Sequence, residues 1–345
     1  MAAVKSADLV AVTATGEIDS SQVTLRYTGI SSGIPYVQQF IQDQLFADTS
    51  AVIDTRESVT AKSLSALRTP DESIALEIIS LHRDDIYDLA GSNDLMLPLR
   101  VHMVVDVTGT WEDLTARLSR REVKRYAKWR ENPRHSLRLS HDADEYFWFY
   151  ENMVIPSMTN TYGVRSRTLS ARDGYQQVFK NGGLFLVEVD GEPVAGSVAS
   201  IDYGRRCIAG RIIGVKNGDQ AYRKDGAQNA VYHAIIEWAR ENRFSWVDFG
   251  NSESFLSKGT FQYKMRLGTH VILPPGTHSD FRTLIRWNSA FPPVVEFLIN
   301  NPVILIQESP VKLGAGYFCT ASRPPRREIS YLPTTGLSFE RTITL

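Results

Sequence analysis

The stretch Tyr222-Arg223-Lys224-Asp225-Gly226-Ala227-Gln228-Asn229 follows a β-rich block and runs into Ala230, Val231, Ala234, Ile235 and Trp238. Those five apolar positions fall on one stripe, so the spacing predicts an amphipathic helix with one face in a core. The first amides of such a helix lack intrahelical partners and carry roughly half a positive charge, which makes the loop before it a seat for phosphate or pyrophosphate. Arg223 and Lys224 add charge at that end. The same residues also fit a plainer role, in which Asp225 and Gly226 cap a structural helix and the two cations are solvated. The stretch by itself leaves both open.

Working outward, residues 184–189, the pair Asp190-Gly191 and residues 193–201 read as a hairpin with a tight turn, and residues 207–215 as a third antiparallel strand. Downstream, Trp246-Val247-Asp248-Phe249-Gly250 reads as a short buried strand, residues 259–267 as a short helix and residues 269–273 as a last strand. A helix crossing between two strands implies a parallel pair inside an otherwise antiparallel sheet.

Residues 99–107 are mostly apolar, as a strand covered on both faces is. Thr110 with Asp113, and Ser119 with Glu122, have the spacing of capping boxes and predict two helices with a bend near Ser119. Nine cations lie between Arg117 and Arg138, namely Arg117, Arg120, Arg121, Lys124, Arg125, Lys128, Arg130, Arg134 and Arg138, against only Glu122 and Glu131. Positions 117, 121, 124, 125 and 128 share one helical face, which can grip a phosphate-bearing partner or be a solvated face whose long side chains cover apolar surface. Residues 135–140 read as a strand. Tyr146, Phe147, Phe149, Tyr150, Met153 and Val154 then mark an aromatic helix that belongs to a core. The loop at 160–167, with Tyr162, Arg165 and Arg167, either touches a substrate or connects, and Ser170 with Asp173 starts a further helix.

Toward the ends the chain says less about chemistry. Residues 1–98 read as an α+β segment with β-like runs at 22–27 and 74–80 and a helix at 35–46. Residues 276–345 read as an appendage with a helix over 280–300 interrupted by Pro292 and Pro293. A 345-residue chain has a length prior of about two domains. A formal charge of -1 excludes a globally basic nucleic-acid binder, so electrostatic recognition has to be local. Cys207 and Cys319 show no metal-ligand spacing, the seven histidines form no paired motif, and no apolar run is long enough to cross a bilayer. No metal and a cytoplasmic location are therefore expected.

The order strand, two helices, hairpin, third strand, helix, strand, helix, strand over residues 99–275 resembles the GNAT acyltransferase fold. The strings Leu186-Val187-Glu188-Val189-Asp190-Gly191-Glu192-Pro193-Val194-Ala195-Gly196, Ile235-Ile236-Glu237-Trp238-Ala239, Asp248-Phe249-Gly250, Tyr263-Lys264 and Leu267-Gly268 look more particularly like the FemAB-like branch, which includes the aminoacyl transferases of the peptidoglycan bridge and related N-acyltransferases. The resemblance implies an α+β fold: a GNAT-like mixed sheet flanked by helices over 99–275, with the N-terminal segment a possible reduced second unit of the same kind. It also implies that Arg223-Lys224-Asp225-Gly226-Ala227-Gln228 corresponds to the R/Q-x-x-G-x-G/A loop that holds the carrier's pyrophosphate. Gln228 departs from that pattern where a small residue belongs.

On this reading the carrier, acyl-CoA or in the alternative aminoacyl-tRNA, is held by Arg223, Lys224, Gly226, Ala227, Gln228 and Asn229. Main-chain amides of the strand near Ile213 and Gly214 assist. Arg120, Arg121, Lys124, Arg125 and Tyr162 bind substrate phosphates, and Lys264, Asp248, Glu253 and Tyr263 form the catalytic set, Lys264 as oxyanion donor. The acceptor is a small-molecule or peptide-like amine. The rival from another class is a catalytically silent module that keeps the fold and uses the basic helix to hold a phosphorylated partner.

Overall fold

Alternation of buried and open side chains builds the N-terminal sheet. Strands β1 (Leu9–Ile18) and β2 (Ser21–Ile30) bury Val12 and Ala14, and Val23, Leu25 and Tyr27, at every second position, so one face of the pair is core. Asp19 and Ser20 join them with φ of 50° and 63°, the left-handed pair that a two-residue hairpin requires. The computed structural model describes residues 9–47, 49, 52–162, 168–329 and 335–345. Helix α1 (Gln39–Leu45), β3 (Val52–Ser58), α2 (Ala61–Ala66), β4 (Leu76–His82), α3 (Arg83–Ile86) and β5 (Leu95–Pro98) follow.

The next stretch holds β6 (Val101–Asp106), α4 (Trp111–Arg117), α5 (Arg120–Arg130), β7 (His135–Ser140), α6 (Ala143–Phe149), α7 (Ile155–Tyr162), α8 (Ala171–Gln177), β8 (Gly182–Val189), β9 (Glu192–Asp202), β10 (Cys207–Val215), α9 (Gln220–Asp225), α10 (Ala227–Glu241), β11 (Trp246–Ser252), α11 (Gly259–Met265) and β12 (His270–Ile272). These strands form one mixed sheet in the order β12-β6-β11-β10-β9-β8-β7. The hairpin turns at Asp190 and Gly191, both with positive φ, and β10 and β11 are the parallel pair. Side chains of β8 alternate between two cores. Phe185 and Val187 face α4, α5 and α10, while Leu184 and Leu186 face the aromatic layer of Tyr146, Phe149 and Met153.

Strand β7 flanks the hairpin, and β6, expected from its apolar run to lead the domain, lies between β11 and β12. One detail differs from the sequence reading. The supposed loop before α10 is largely the short helix α9, capped by Asp219, whose Oδ1 accepts from the Ala221 amide at 2.8 Å.

The chain ends with β13 (Phe281–Trp287), α12 (Pro292–Asn300), β14 (Val303–Glu308), β15 (Val311–Cys319) and β16 (Leu337–Thr344). The helix expected over 280–300 is thus a strand followed by a helix that starts at its two prolines. Arg282 and Arg286 are four apart, a spacing that suits one face of a helix and equally one face of a strand. Strand β13 lies between β4 and β5 in a sheet of order β3-β1-β2-β4-β13-β5. Its two arginines are buried and paired, Arg286 with Glu77 and Asp94, and Arg282 with Glu308.

Two units result, one of Met1–His102, Asn251–Gln262 and Val271–Leu345, the other of Met103–Gly250 and Tyr263–His270. The sequence boundaries at 98 and 275 differ from this division because β13 pairs with strands some two hundred residues earlier. Nothing local in the chain announces that pairing.

Gly214 in β10 owes its identity to a close approach. A Cβ there would lie 2.6 Å from the main-chain carbon of Met153 and 2.8 Å from the amide nitrogen of Val154, in the π-helical turn Tyr150–Val154. Gly214→Ala is expected to cost about 1–3 kcal/mol in urea unfolding, because main chain cannot rotate out of the way as a side chain can. An unchanged unfolding midpoint would mean that the turn yields freely.

Candidate functional site

Strands β10 and β11 pair in parallel for three residues only, Cys207 with Trp246, Ile208 with Val247 and Ala209 with Asp248. Beyond that point β10 bulges between Gly210 and Ile212 and continues alongside β9 alone. Arg211, the extra residue of the bulge, spans the parting. Its Nη2 meets the Asp248 carboxylate at 2.8 Å, while Asp248 Oδ1 also accepts the Gly250 amide at 2.6 Å. Val215 at the far end of β10 exchanges hydrogen bonds with Ser157 rather than with β11. By strand alternation the main-chain N–H and C=O of Ile213 point to the same open edge as those of Val215, whereas those of Gly214 point to β9.

Gly226 joins α9 to α10 with φ of 94°; its N–H donates to Arg223 O at 3.2 Å and its C=O accepts from the Ala230 N–H at 2.9 Å. The amides of Ala227, Gln228 and Asn229 precede that first α10 bond. This helix end is covered by the protein's own groups. The Arg125 stem lies 3.0 Å from where a Gly226 Cβ would stand. Glu122, 1% exposed, accepts from the Asn229 side-chain amide and lies 3.5 Å from Arg125 Nη1. A carboxylate of the chain thus sits beside the positive end of α10.

The same neighbourhood holds Tyr263, whose buried hydroxyl has no hydrogen-bond partner among the described residues and whose ring meets Tyr232 edge-on at 5.5 Å. Burial, followed by the nearness of Tyr232 and Glu122, pushes its ionisation well above the usual phenol range, against Arg125 and Arg223. Arg223 turns away to Thr161 Oγ1 at 3.0 Å. On the outer side of α5 an open groove of about 740 Å³ is lined by Arg121, Lys124, Arg125, Lys128, Arg134 and Lys224. Arg134 is paired with Asp190 and Arg125 with Glu122; Arg121, Lys124, Lys128 and Lys224 make no ion pair among the described residues.

Glu122, Arg125, Gly226, Ala227, Asn229 and Tyr263 are therefore neighbours. Arg117 ends α4 and is drawn instead to Asp106 O at 2.6 Å and His270 Nε2 at 3.0 Å, so it leaves the cationic face. Arg120 is exposed and does not line the groove. Asp248 has both oxygens engaged, which suits a tie rather than a base. Glu253 belongs to the other unit, where Lys258 and Thr260 hold it. Lys264 is half-buried on α11. The side chain of Tyr162, with Arg165 and Arg167, lies outside the described residues.

Sequence reasoning missed three groups. Glu122 was the one acid among the first cations of α5, Arg211 the one charge in an apolar strand, and His233 an unremarkable histidine on α10. The first two were visible as exceptions to their surroundings. His233 is fully buried, stacked on Tyr126 at 4.3 Å, and burial lowers its pKa to about 4.

Two expectations follow. Arg211→Met should destabilise by about 1–2 kcal/mol by removing the cation that faces the buried Asp248 carboxylate, and adding Asp248→Asn should recover part of that loss; additive costs in a double-mutant cycle would deny the coupling. His233, neutral in the fold and near 6.5 when unfolded, contributes stability that is full above about pH 6.5 and is lost as pH falls toward 4, about 3 kcal/mol in all. His233→Phe should flatten the pH dependence of urea unfolding in that window, and an unaltered slope would count against a buried neutral imidazole.

The family model for the acetyltransferase (GNAT) domain matches residues 117–265. No curated protein matches the chain by sequence. Among solved structures the chain is similar to FemX, at 12% identity and TM-score 0.43, with 80% of this chain and 84% of that one covered. It is similar also to L-PGS from Bacillus licheniformis, at 12% identity, TM-score 0.40 and coverage of 84% and 85%. A GCN5-related N-acetyltransferase from Kribbella flavida shares 12% identity at TM-score 0.31, with coverage of 76% and 80%. By that family model the stretch 117–265, which holds α5, α10 and the parted strands, is similar to the acetyltransferase (GNAT) domain.

Proposed function

We propose that this chain transfers an acyl group to an amine from a phosphate-bearing carrier whose phosphates lie in the cationic groove along α5. The observation that carries this reading is the conjunction of parted strands with unpaired cations. The open edge of β10 at Ile213 can bind the acyl arm, and Arg121, Lys124, Lys128 and Lys224 offer charge to the carrier.

In the reaction the amine nitrogen attacks the acyl carbon, the bond from that carbon to the carrier's sulfur or oxygen breaks, and the amine's proton passes to water. Lys264 stabilises the oxyanion, and Tyr263, held as a neutral phenol, can donate a proton to the departing carrier. Asp248 and Glu253 drop out of the catalytic set for the engagements described above.

Of the two carriers, aminoacyl-tRNA is favoured over acyl-CoA by one observation. The seat a pyrophosphate would take at the start of α10 is beside the buried Glu122 carboxylate, whereas the unpaired cations are spread along a groove. Like charges at close range disfavour a pyrophosphate there, and distributed cations suit phosphates strung along a backbone. The FemAB-like strings in the sequence agree with this choice, and the acceptor is then a peptide-like or cell-wall amine.

The test is transfer measured with a panel of acyl-CoAs and of aminoacyl-tRNAs. Ribonuclease should abolish it with the second donor, and turnover of an acyl-CoA alone would reverse the ranking. Lys124→Glu with Lys128→Glu should lower kcat/KM for the donor at least about tenfold, more at low salt, while Lys312→Glu in the other unit should not. A double variant that transfers normally would remove the groove from the reaction.

A further inference from the structure

Helix α5 has a second hollow on its other face. A cavity of about 420 Å³ lies between α4, α5 and α10, a size within the range of small-molecule sites. Trp111 of α4, Leu118 just past its end, and Val123, Tyr126 and Ala127 of α5 make its walls apolar, and His233 of α10 lines it. None of the residues assigned above to the carrier or to acyl transfer lines it.

His233 is fully buried, and neither of its ring nitrogens has a hydrogen-bond partner among the described residues. Burying one such group without a partner costs about 1–3 kcal/mol, and folded proteins rarely tolerate it without a use. The polar groups nearby are committed to each other. The Tyr126 hydroxyl donates to Glu237 at 2.7 Å, and Arg130 is paired with the same carboxylate. Glu237 and Arg130 cancel, and the remaining charged residue of the lining, the exposed Glu131, is an acid, so the cavity offers an anion no counter-charge. Burial keeps the imidazole neutral at physiological pH, and a neutral imidazole has one donor and one acceptor to offer.

We propose that this cavity is a binding site for an uncharged, ring-bearing small molecule with a hydroxyl or amide group. That group hydrogen-bonds His233 while the ring packs against the apolar walls contributed by Trp111 and Leu118. The site is separate from the carrier groove, with which it shares only the body of α5.

The test uses phenol as probe and toluene as its counterpart without the hydroxyl, followed through the ring-nitrogen resonance of His233 in histidine-labelled full-length protein. Phenol should shift that resonance saturably and bind roughly tenfold more tightly than toluene, the worth of one hydrogen bond. His233→Phe, which keeps a ring against Tyr126, should bring phenol down to the toluene level. Ala127→Phe, which fills the cavity from an exposed helix position, should abolish binding of both. Absence of a saturable shift, equal affinity of the two probes for the wild-type chain, or phenol binding that survives Ala127→Phe would each overturn the assignment. Should His233→Phe fail to fold, the two-probe comparison and Ala127→Phe still decide it.

Discussion

The parting of β10 from β11 is the constraint on which the acyltransferase unit depends. A parallel pair buried beneath helices would ordinarily continue its ladder, since unpaired main-chain groups inside a protein are costly. Here the ladder stops after three residues, and the side chain of Arg211 takes over where main chain leaves off, tied to Asp248 across the gap. The pair joins an exposed arginine to a buried aspartate, so its main effect is to fix geometry and to answer a carboxylate that burial would otherwise penalise. The bulge serves the same end. It turns Arg211 toward the gap and resets the strand so that Val215 finds Ser157.

The second constraint is the treatment of the α10 N-terminus. A helix end of this kind attracts anions, and the chain meets that demand internally with Glu122. Asn229 and Arg125 share the carboxylate, so the burial of a charge that would otherwise be expensive is offset by hydrogen bonding and pairing. The consequence reaches the reaction through electrostatics. With an acid already at the helix end, the excess of positive charge in this neighbourhood lies along the outer face of α5, where Arg121, Lys124, Arg125, Lys128, Arg134 and Lys224 outnumber Asp225.

Much of this was legible in the sequence for physical reasons that can be named. The hairpin at Asp190-Gly191, strands β7 and β10, helix α10 and the parallel step to β11 follow from periodicity and turn chemistry, which are local. What escaped is what depends on contacts distant in the chain. Strand β13 hides behind a four-residue arginine spacing compatible with two periods, and its partners come from the first hundred residues. The basic stretch 117–138 was read as one charged face, yet Ser119 breaks it, so Arg117 belongs to α4 and points elsewhere. Glu122 looked like half of a capping box. Ser119 does cap α5, but the glutamate turns inward to Asn229, more than a hundred residues ahead.

The nine cations of that stretch show how a neutral protein concentrates charge. Arg125 answers Glu122, Arg130 answers Glu237, Arg134 answers Asp190, Arg138 is held by Glu145 and Glu188, and Arg117 goes to a carbonyl and a histidine. Arg120, Arg121, Lys124 and Lys128 are left without an ion pair among the described residues, and all four lie within the first nine positions of α5. Of these, Arg121, Lys124 and Lys128 line the groove, and neighbours three or four apart on a helix lie about 5–6 Å from one another, inside the screening length of about 8 Å at physiological salt, so their charges act together. Pairing has removed the cations that would blur the patch and spared those that define it. The charge left over is thereby confined to α5 instead of being spread along the whole stretch.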